Sequence, residues 1–510
     1  MRITRHFAHI DGRDVHYRRC GAGPALVLLH ASPVSSKVFE PAMRIFGKSF
    51  TCFAFDTPGN GLSDPLIAED PDLSAYAAAQ ADLMSQLGIT KAVVYGRHTG
   101  ASIAVEIARL RPDMVTMVMT DGYPVFTDAQ RQAYLSGYLT DLPTSQDGSH
   151  ALWLWNRYRD QFIFWPWNKR GADTRADCDM PSTQFIHNGV VALMEAGNNY
   201  KAPYRAVFTF DALAALAEVT VPVCIAARPG DSLYRKFGDF PDSLWKVDMP
   251  RDFAAACAKE LEIMSQHMPN MPAPDVQSSP VRTIHPLGPY DVHVKYVAGQ
   301  GKPVAVIGDV PGCWDAPPKR TQRPVIHVDP LNAGDSGAGP VEAYQQAAII
   351  TQPLDQDCDL VGIGAGANIA LEVARYRPDA ALTLINPLLV EEDVRAACAV
   401  QYGVEAAPQR DGTHMVRLWQ MLRDEMCWFP HFDQRRQAMR VDAEYDWAAL
   451  EATFLARLKH APQLQKAWAA AWSYPLKETL GGVEAKLVFT PASRVPARVH
   501  GQPILETVTL

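Results

Sequence analysis

Short apolar runs alternate with longer amphipathic segments along the first half of the chain. In residues 75–87, apolar side chains recur near the 3.6-residue spacing of an α-helix, which predicts an amphipathic helix. Residues 101–110 are predicted to form the next helix. The apolar runs around these segments are predicted to be strands, at residues 25–29, 53–55, 92–95, 115–120 and 223–227. Strands that alternate with helices predict the α/β fold class, with a mostly parallel sheet flanked by helices.

The alternation stops between residues 124 and 204. This region is long, has helical spacing and is dense in aromatic side chains over residues 153–167. We predict a helical cap of about residues 125–205 over the carboxyl end of the sheet, where ligands bind in open α/β folds. The aromatic run is interpreted as the core of the cap, with an apolar lining for a substrate as the alternative.

A strand-to-helix turn at residues 94–100 carries the strongest chemical signal in the chain. The run Val-Tyr-Gly-Arg-His-Thr-Gly joins a predicted strand to a predicted helix, and Gly96 and Gly100 supply the small residues that a close approach needs. The pattern is that of a nucleophile elbow, Gly-x-Ser-x-Gly, in which a tight turn lifts one side chain above the sheet. The lifted residue here is His98, in place of the usual nucleophile.

The chain also repeats itself. Residues 147–167 and 411–431 share eight identities at an offset of 264, and the elbow segment 96–113 returns as 362–379. Several segments in the same order at a near-constant offset predict a tandem duplication. We predict a first domain at residues 1–266, a Pro- and Ser-containing linker at 267–284, and a second, degenerate domain at 285–510 with a cap at about 390–475.

Three segments of the first half resemble the α/β-hydrolase superfamily. LLHASPVSS (28–36) resembles its oxyanion loop, FDTPGNGLSD (55–64) its Asp-x-Pro-Gly-x-Gly-x-Ser segment, and GRHTG (96–100) its elbow. The resemblance implies two fused α/β-hydrolase-fold domains, each with a helical cap insertion. It also implies an acid after the sixth or seventh strand, for which Asp231 is the candidate and Asp121 the alternative.

One element of the family pattern is missing. Beyond the next candidate strand, near residues 244–247, no histidine stands where the family places one, and His267 follows a helix and comes too late. The second half departs further from the pattern, with Gly364 at the lifted position and Asn386 corresponding to Asp121. Position 231 aligns near Arg494. The second half is therefore predicted to be catalytically inactive.

Candidate catalytic roles follow from these positions. His98 is predicted to act as a base or nucleophile, with Asp231 or Asp121 fixing its tautomer, because an imidazole titrates near neutral pH. His150 lies in a duplicated Asp-Gly-Ser/Thr-His block and is a further catalytic candidate. Its retention in both copies, as His150 and His414, favours a shared structural role.

Substrate contacts are predicted from the oxyanion loop, the elbow and the cap. By the resemblance, backbone N–H groups at Ala31 or Ser32 and at Thr99 would stabilise developing negative charge. Arg97 is interpreted as a surface or dipole residue, with pairing to a substrate carboxylate as the alternative. Three further candidates complete the predicted pocket, namely His30, Trp155 and Trp165.

Composition limits the partners, cofactors and cellular location that we expect for this protein. The 510 residues are 47% hydrophobic and 20% charged, with a net charge of −8, which argues against a nucleic-acid or anionic-membrane partner. No apolar stretch of membrane-spanning length and no signal peptide is present, and nine scattered cysteines without a Cys-x-x-Cys pair predict reduced thiols in a cytoplasmic protein. Metal and dinucleotide motifs are also absent, so we expect neither a metal nor a cofactor.

These patterns predict an enzyme that hydrolyses a small apolar or aromatic ester, lactone or related substrate with the elbow histidine. Cofactor-free lyase or oxygenase chemistry on the same fold is an alternative, because a basic imidazole without a serine suits proton abstraction. Two further alternatives are a non-catalytic small-molecule-binding protein and a scaffold for a partner protein. The expected partner is a small molecule, with the two copies packed as an intramolecular pseudo-dimer and a homo-oligomer as a further possibility.

Overall fold

The computed structural model describes residues 1–276, 279, 281–309, 322–354, 357–440 and 443–489. The chain divides into two compact units. The first unit comprises Met1–Pro143 and Leu154–Ser279, and the second comprises Thr144–Trp153 and Pro280–Leu510. The division after residue 279 falls within the segment interpreted from its Pro and Ser content as a linker.

The first unit is built on an eight-stranded sheet. Its strands are β1 (Thr4–Ile10), β2 (Arg13–Cys20), β3 (Ala25–Leu29), β4 (Thr51–Phe55), β5 (Ala92–Arg97), β6 (Val115–Asp121), β7 (Val223–Ala227) and β8 (Trp245–Asp248). They lie in the order β1-β2-β4-β3-β5-β6-β7-β8. β1 pairs antiparallel with β2, and β2 with β4, whereas the remaining pairs are parallel.

The helices within residues 1–279 are α1 (Glu40–Phe46), α2 (Leu73–Gln86), α3 (Thr99–Leu110), α4 (Asp128–Gly137), α5 (Ser149–Asp160), α6 (Thr183–Ala196), α7 (Lys201–Thr209), α8 (Ala212–Glu218) and α9 (Phe253–Ser265). Residues 149–153 of α5 belong to the second unit, and the other helical residues belong to the first. Every residue of β3 is buried, because successive side chains enter two separate apolar cores, one on each face of the sheet. One core contains residues of α2 and α3, and the other contains residues of α1 and α9.

The second unit repeats this topology with seven strands in its described part. They are β9 (Arg282–Leu287), β10 (Tyr290–Val297), β11 (Val304–Ile307), β12 (Val325–Val328), β13 (Asp359–Ile363), β14 (Leu382–Ile385) and β15 (Ala485–Val488). Their order, β9-β10-β12-β11-β13-β14-β15, is that of the first seven strands of the first unit. The helices are α10 (Ala343–Ile350), α11 (Gly366–Tyr376), α12 (Glu392–Gln401), α13 (Thr413–Cys427), α14 (Trp447–Lys459), α15 (Leu464–Ser473) and α16 (Leu476–Leu480).

The α/β class and the mostly parallel sheets flanked by helices are confirmed. The strands predicted at residues 25–29 and 223–227 have the observed bounds, and the others differ at one or both ends by a few residues. The antiparallel pair β1 and β2 was not predicted, because both strands alternate charged or histidine side chains with few apolar ones. Arg494, which aligns near position 231 of the first half, lies outside the described residues.

The sheet register corrects one correspondence between the halves. Arg97 lies opposite Asp121 in the first unit, and Ile363 lies opposite Ile385 in the second. If the two elbows are superposed, Ile385 therefore matches Asp121, and Asn386 matches Gly122. Asn386 has a positive φ of 49° and Gly122 one of 72°, which fits this pairing. No helix among the described residues combines the length and apolar character that a bilayer crossing requires.

Candidate active site

The turn between β5 and α3 has the geometry of an elbow. His98 joins the two elements with φ 48° and ψ −113°, a backbone conformation that favours glycine over residues with a Cβ atom. A Cβ atom on Gly96 would lie 2.2 Å from the carbonyl oxygen of Gly100, and one on Gly100 would lie 2.0 Å from that of Leu29. Both glycines are therefore required where the helix crosses close to the sheet.

The imidazole of His98 contacts a carboxylate. Its Nε2 lies 2.9 Å from Oδ1 and 2.8 Å from Oδ2 of Asp231, which is in the loop after β7. The His98 side chain is 25% exposed and that of Asp231 is 3% exposed. Since Nε2 faces a carboxylate, it carries the proton and donates, and Nδ1 keeps the lone pair that a base needs.

Charge around Asp231 keeps this carboxyl group ionised. Burial by itself would raise the pKa of Asp231, but the neighbouring His98 and Arg97 outweigh it and hold the pKa well below its usual range. The amide of Leu233 also donates to Oδ1 at 2.9 Å. Asp231 is thus a fixed negative charge that orients the imidazole.

A cavity of about 530 Å³ opens beside these two residues. The loop after β3, the elbow, the loop after β7 and helices α5, α6 and α7 all contribute to its wall. Most of the wall is apolar, with aromatic side chains that include Phe126, Tyr158, Phe162, Trp165, Phe185 and Phe208. A mostly apolar cavity of this size with a few convergent polar groups is typical of a small-molecule site.

The predicted site residues divide into two groups. Ala31, Ser32, Arg97, Thr99 and Trp165 line the cavity together with His98 and Asp231. His30, Trp155 and His150 are not in the cavity wall.

The second group has contacts that explain those positions. His30 is buried, with Nε2 accepting from the Thr57 amide at 2.9 Å and Nδ1 lying 2.7 Å from the Ala31 carbonyl oxygen, so it secures the loop after β3. Trp155 is buried in α5. His150 is buried within the second unit, where its ring packs edge-on against Trp419 with centroids 4.4 Å apart. The structure gives these three residues packing or loop-holding positions.

Asp121, the alternative orienting acid, has other partners. Its Oδ2 accepts from Arg228 Nη2 at 2.7 Å, and Tyr95 Oη lies 3.2 Å from the same oxygen. Only its backbone carbonyl meets His98, accepting from the His98 amide at 3.2 Å. Of the two acids proposed from the sequence, Asp231 is the one that contacts the imidazole.

Sequence reasoning missed a buried acid behind this network. Glu260 of α9 accepts from Arg228 Nη2 at 3.2 Å, and Tyr95 Oη lies 3.2 Å from the same Glu260 oxygen, Oε1. Burial and the nearby charge of Asp121 raise the pKa of Glu260 to about 8. The available signal was a glutamate on the apolar side of a helix, and an arginine directly after a buried strand.

The predicted oxyanion donors lie close together. The Ser32 amide donates to Thr99 Oγ1 at 3.3 Å, so the loop after β3 touches the start of α3. The first amides of a helix have no partner within that helix, which leaves the Thr99 amide available at the cavity wall. In the second unit the equivalent amide, that of Ala365, donates to Oδ1 of Asp309 at 2.7 Å. There a carboxylate of the chain itself occupies the elbow amide.

One group of side chains in the described part of the chain has spacing that could suit a metal ion. His293, Asp329 and Asp335 place ligand atoms within 4.8 Å of one another in the second unit. Asp335 accepts from Arg282 at 2.7 Å and from Lys459 at 2.8 Å, and His293 Nδ1 donates to Asp329 at 2.8 Å. Because protein cations already neutralise this group, its donor set does not fit a metal centre.

Comparison with known proteins supports the fold. Residues 24–157 match the family model of the alpha/beta hydrolase fold. A soluble epoxide hydrolase of Corynebacterium sp. (strain C12) is 35% identical over 114 residues, which cover 22% of this chain and 39% of the relative. The zearalenone hydrolase of Cladophialophora bantiana is 26% identical over 220 residues, which cover 36% of this chain and 83% of the relative.

Other matches are shorter or looser. The first curated relatives, uncharacterised mycobacterial proteins, are 31% identical over 112 residues, and the chain spans about a third of their length. The solved structure of the epoxide hydrolase CorEH without ligand is 20% identical, covering 52% of this chain and 97% of that chain, with a TM-score of 0.39. The match to the family model covers residues 24–157, and these residues include strands β3 to β6 of the first unit.

Proposed function

We propose that the chain hydrolyses a small apolar or aromatic ester or lactone in the cavity of the first unit, with His98 as the general base. One observation carries this proposal: an elbow imidazole meets both oxygens of the buried Asp231 carboxylate beside a mostly apolar cavity. Relatives of the α/β-hydrolase type, including an epoxide hydrolase, support this class of chemistry.

The proposed reaction needs no covalent intermediate on serine. Nδ1 of His98 removes a proton from water, and the water oxygen adds to the substrate carbonyl carbon. The imidazolium is stabilised by ionised Asp231 and then returns the proton to the departing alkoxide oxygen. The products are a carboxylic acid and an alcohol, and His98 is again neutral.

Backbone amides at the cavity wall would stabilise the tetrahedral intermediate. The Thr99 amide is the better-supported donor, because its counterpart in the second unit already binds a carboxylate oxygen of Asp309. A single oxyanion donor contributes on the order of 10²–10³-fold in rate in hydrolytic enzymes. The second donor would come from Ala31 or Ser32.

Three substitutions test the proposal with chromogenic aryl esters. We expect His98→Ala and Asp231→Asn to lower kcat by roughly 10²–10⁴-fold, because each removes general-base catalysis or its orientation. Ser32→Ala is the control and should change kcat by less than about tenfold, since the donor at this position is a backbone amide. Stoichiometric labelling of a serine by a phosphonate probe, or full activity of His98→Ala, would contradict the proposal.

A small-molecule-binding protein is the second candidate. The observation that favours it is the Ser32 amide, which donates to Thr99 Oγ1 at 3.3 Å instead of being left for a substrate. Saturable thermal stabilisation by an aromatic ligand, without turnover of any ester in the panel, would favour this candidate.

We infer that the second unit does not catalyse by the same route. Gly364 stands where His98 stands in the first unit, and the Ala365 amide is occupied by Asp309. The shared strand order and the repeated sequence blocks support an origin of both units from one duplicated domain. Substitution of Asp309 by asparagine should leave ester turnover unchanged if this inference is right.

A further inference from the structure

Two arginines reach the wall of the cavity in the first unit. Arg97 precedes His98 at the end of β5, and Arg228 follows β7 directly. Arg97 is the more accessible of the two, with 39% of its side chain exposed against 11% for Arg228. Arg97 also offers a ligand more accessible surface than Asp231, whose side chain in the same wall is 3% exposed.

The ion pairs of Arg97 are longer than those of its neighbours. Its Nη2 lies 3.3 Å from Asp231 Oδ2, and its Nε lies 3.5 Å from Asp121 Oδ2. Charge-assisted hydrogen bonds between arginine and carboxylate are usually about 2.7–2.9 Å long and often bidentate. Arg97 contacts each acid through a single nitrogen at a greater distance. Its guanidinium group therefore forms no bidentate pair with either carboxylate.

Both acids have closer partners than Arg97. Asp231 lies 2.8 Å from His98 Nε2, and Asp121 accepts from Arg228 at 2.7 Å. The side chains of Asp121 and Asp231 are 0% and 3% exposed, so both are much less accessible to a ligand than Arg97. A further carboxylate could therefore bind Arg97 without displacing the principal partner of either acid.

The local charge also permits an anion. The raised pKa of Glu260 keeps this group protonated at neutral pH, so the two ionised acids are balanced by Arg97 and Arg228. Asp179, a further acid in the wall, is exposed. An incoming carboxylate is then not opposed by net negative charge at the base of the cavity.

We propose that the ligand of this cavity carries a carboxylate on an apolar or aromatic body, and that Arg97 binds this carboxylate. As a statement about the substrate, this rests on the proposed hydrolysis at His98. Arg97 Nη2 and His98 Nε2 lie 3.3 Å and 2.8 Å from the same oxygen, Asp231 Oδ2, so the carboxylate of the substrate lies close to the carbonyl that reacts. The aromatic wall contacts the remainder of the molecule.

Binding of benzoate, with benzamide as the uncharged isostere, tests the recognition step without any turnover. Calorimetry and thermal shift are measured on the full chain and on His98→Ala. We expect saturable binding of benzoate and at least tenfold weaker binding of benzamide. Arg97→Gln should weaken benzoate binding at least tenfold, and Arg97→Lys, which keeps the charge, should restore part of it.

A matched arginine controls for nonspecific effects. Arg111 is exposed and pairs with Asp113, and Arg111→Gln should leave benzoate binding unchanged. Arg97→Gln keeps hydrogen-bonding groups beside the buried acids, and its thermal midpoint without ligand reports whether it is folded. Equal binding of benzoate and benzamide, or unchanged benzoate binding in folded Arg97→Gln and Arg97→Lys, would overturn the proposal.

Turnover separates this inference from the proposed hydrolysis. Aryl esters matched in size, one with a carboxylate and the other with a carboxamide, should differ at least tenfold in KM, and Arg97→Gln should remove the difference. Equal KM values with turnover that depends on His98 would overturn the carboxylate while leaving the hydrolysis. Benzoate binding that depends on Arg97, without turnover of either ester, would support the carboxylate and reject the hydrolysis.

Discussion

The contact between His98 and Asp231 depends on a small residue between them. Gly122 has φ 72°, and a Cβ atom there would lie 2.7 Å from Cδ2 and 2.9 Å from Nε2 of His98. Glycine at this position therefore leaves the space that the imidazole occupies against the carboxylate.

Gly122→Ala should displace the imidazole and lower ester turnover by at least about tenfold, since catalytic geometry tolerates little misplacement. The control is Gly12→Ala, because Gly12 has a similar φ of 76° but nothing within 4 Å of the added Cβ atom. Both variants bear the backbone cost, and only the first crowds His98. Equal kcat values for the two variants would contradict this account of Gly122.

Glu260 predicts a pH dependence of stability. Its pKa in the folded chain is about 8, above the ordinary 4.5, because of burial and the charge of Asp121. Between these values the folded chain holds a proton that the unfolded chain has released. The stability that this group contributes is therefore complete below about pH 4.5 and falls as the pH rises towards 8.

Glu260→Gln removes that dependence, because the amide does not ionise. We expect the thermal midpoint of the variant minus that of the natural chain to increase from pH 5 to pH 8 and then to level off. For one proton, the free energy of unfolding changes by at most about 1.4 kcal/mol per pH unit. Exposed Glu262 of the same helix provides the control, and Glu262→Gln should show a flat difference.

At the level of single residues, the sequence could name His98 because its two flanking glycines are a local pattern. It could offer Asp231 and Asp121 as orienting acids, but the choice between them depends on how the loops after β6 and β7 fold. Glu260 and Arg228 could not be assigned, since their pairing joins residues 32 positions apart through tertiary packing. Local spacing carries no information on such a pair.

Among the secondary-structure elements, the elbow between β5 and α3 imposes a conformational cost on His98. A residue with a Cβ atom at φ 48° and ψ −113° is strained, whereas glycine is not, and the second unit has Gly364 at this position with φ 57°. His98→Gly should therefore be more stable than His98→Ala, by about 1 kcal/mol.

A position with ordinary helical geometry gives the opposite order. Asp82 is exposed within α2, and there the glycine variant should be less stable than the alanine variant by about 1 kcal/mol. Thermal unfolding of the four variants measures both differences. The same order at both positions would show that the elbow conformation is not strained.

The central strands and the helices next to them were predictable, because burial on both faces gives β3 a continuous apolar run and amphipathic spacing marks α2 and α3. The antiparallel strands β1 and β2 escaped detection since histidine and arginine occupy many of their positions. Their burial comes from tertiary contacts that composition does not reveal.

On the scale of the whole molecule, the boundary between the two units does not fall at one position in the sequence. Thr144–Trp153 belongs to the second unit, although the segments before and after it belong to the first. Within the second unit, His150 of this segment packs against Trp419 and Phe454.

A chain shortened to residues 1–279 should therefore be poorly stable. Removal of the rest deprives Thr144–Trp153 of the residues it packs against and exposes apolar surface, which favours aggregation. We expect a lower thermal midpoint and rapid proteolysis within residues 144–153, measured against the full chain. A stable monomeric fragment that resists protease there would contradict this expectation.

The interleaved segment Thr144–Trp153 also has an evolutionary consequence. Ten residues from the first half of the chain form part of the second unit. Separation of the gene into two would therefore remove these residues from the unit in which they pack. The second half is then retained in the chain for its packing, whether or not it takes part in a reaction.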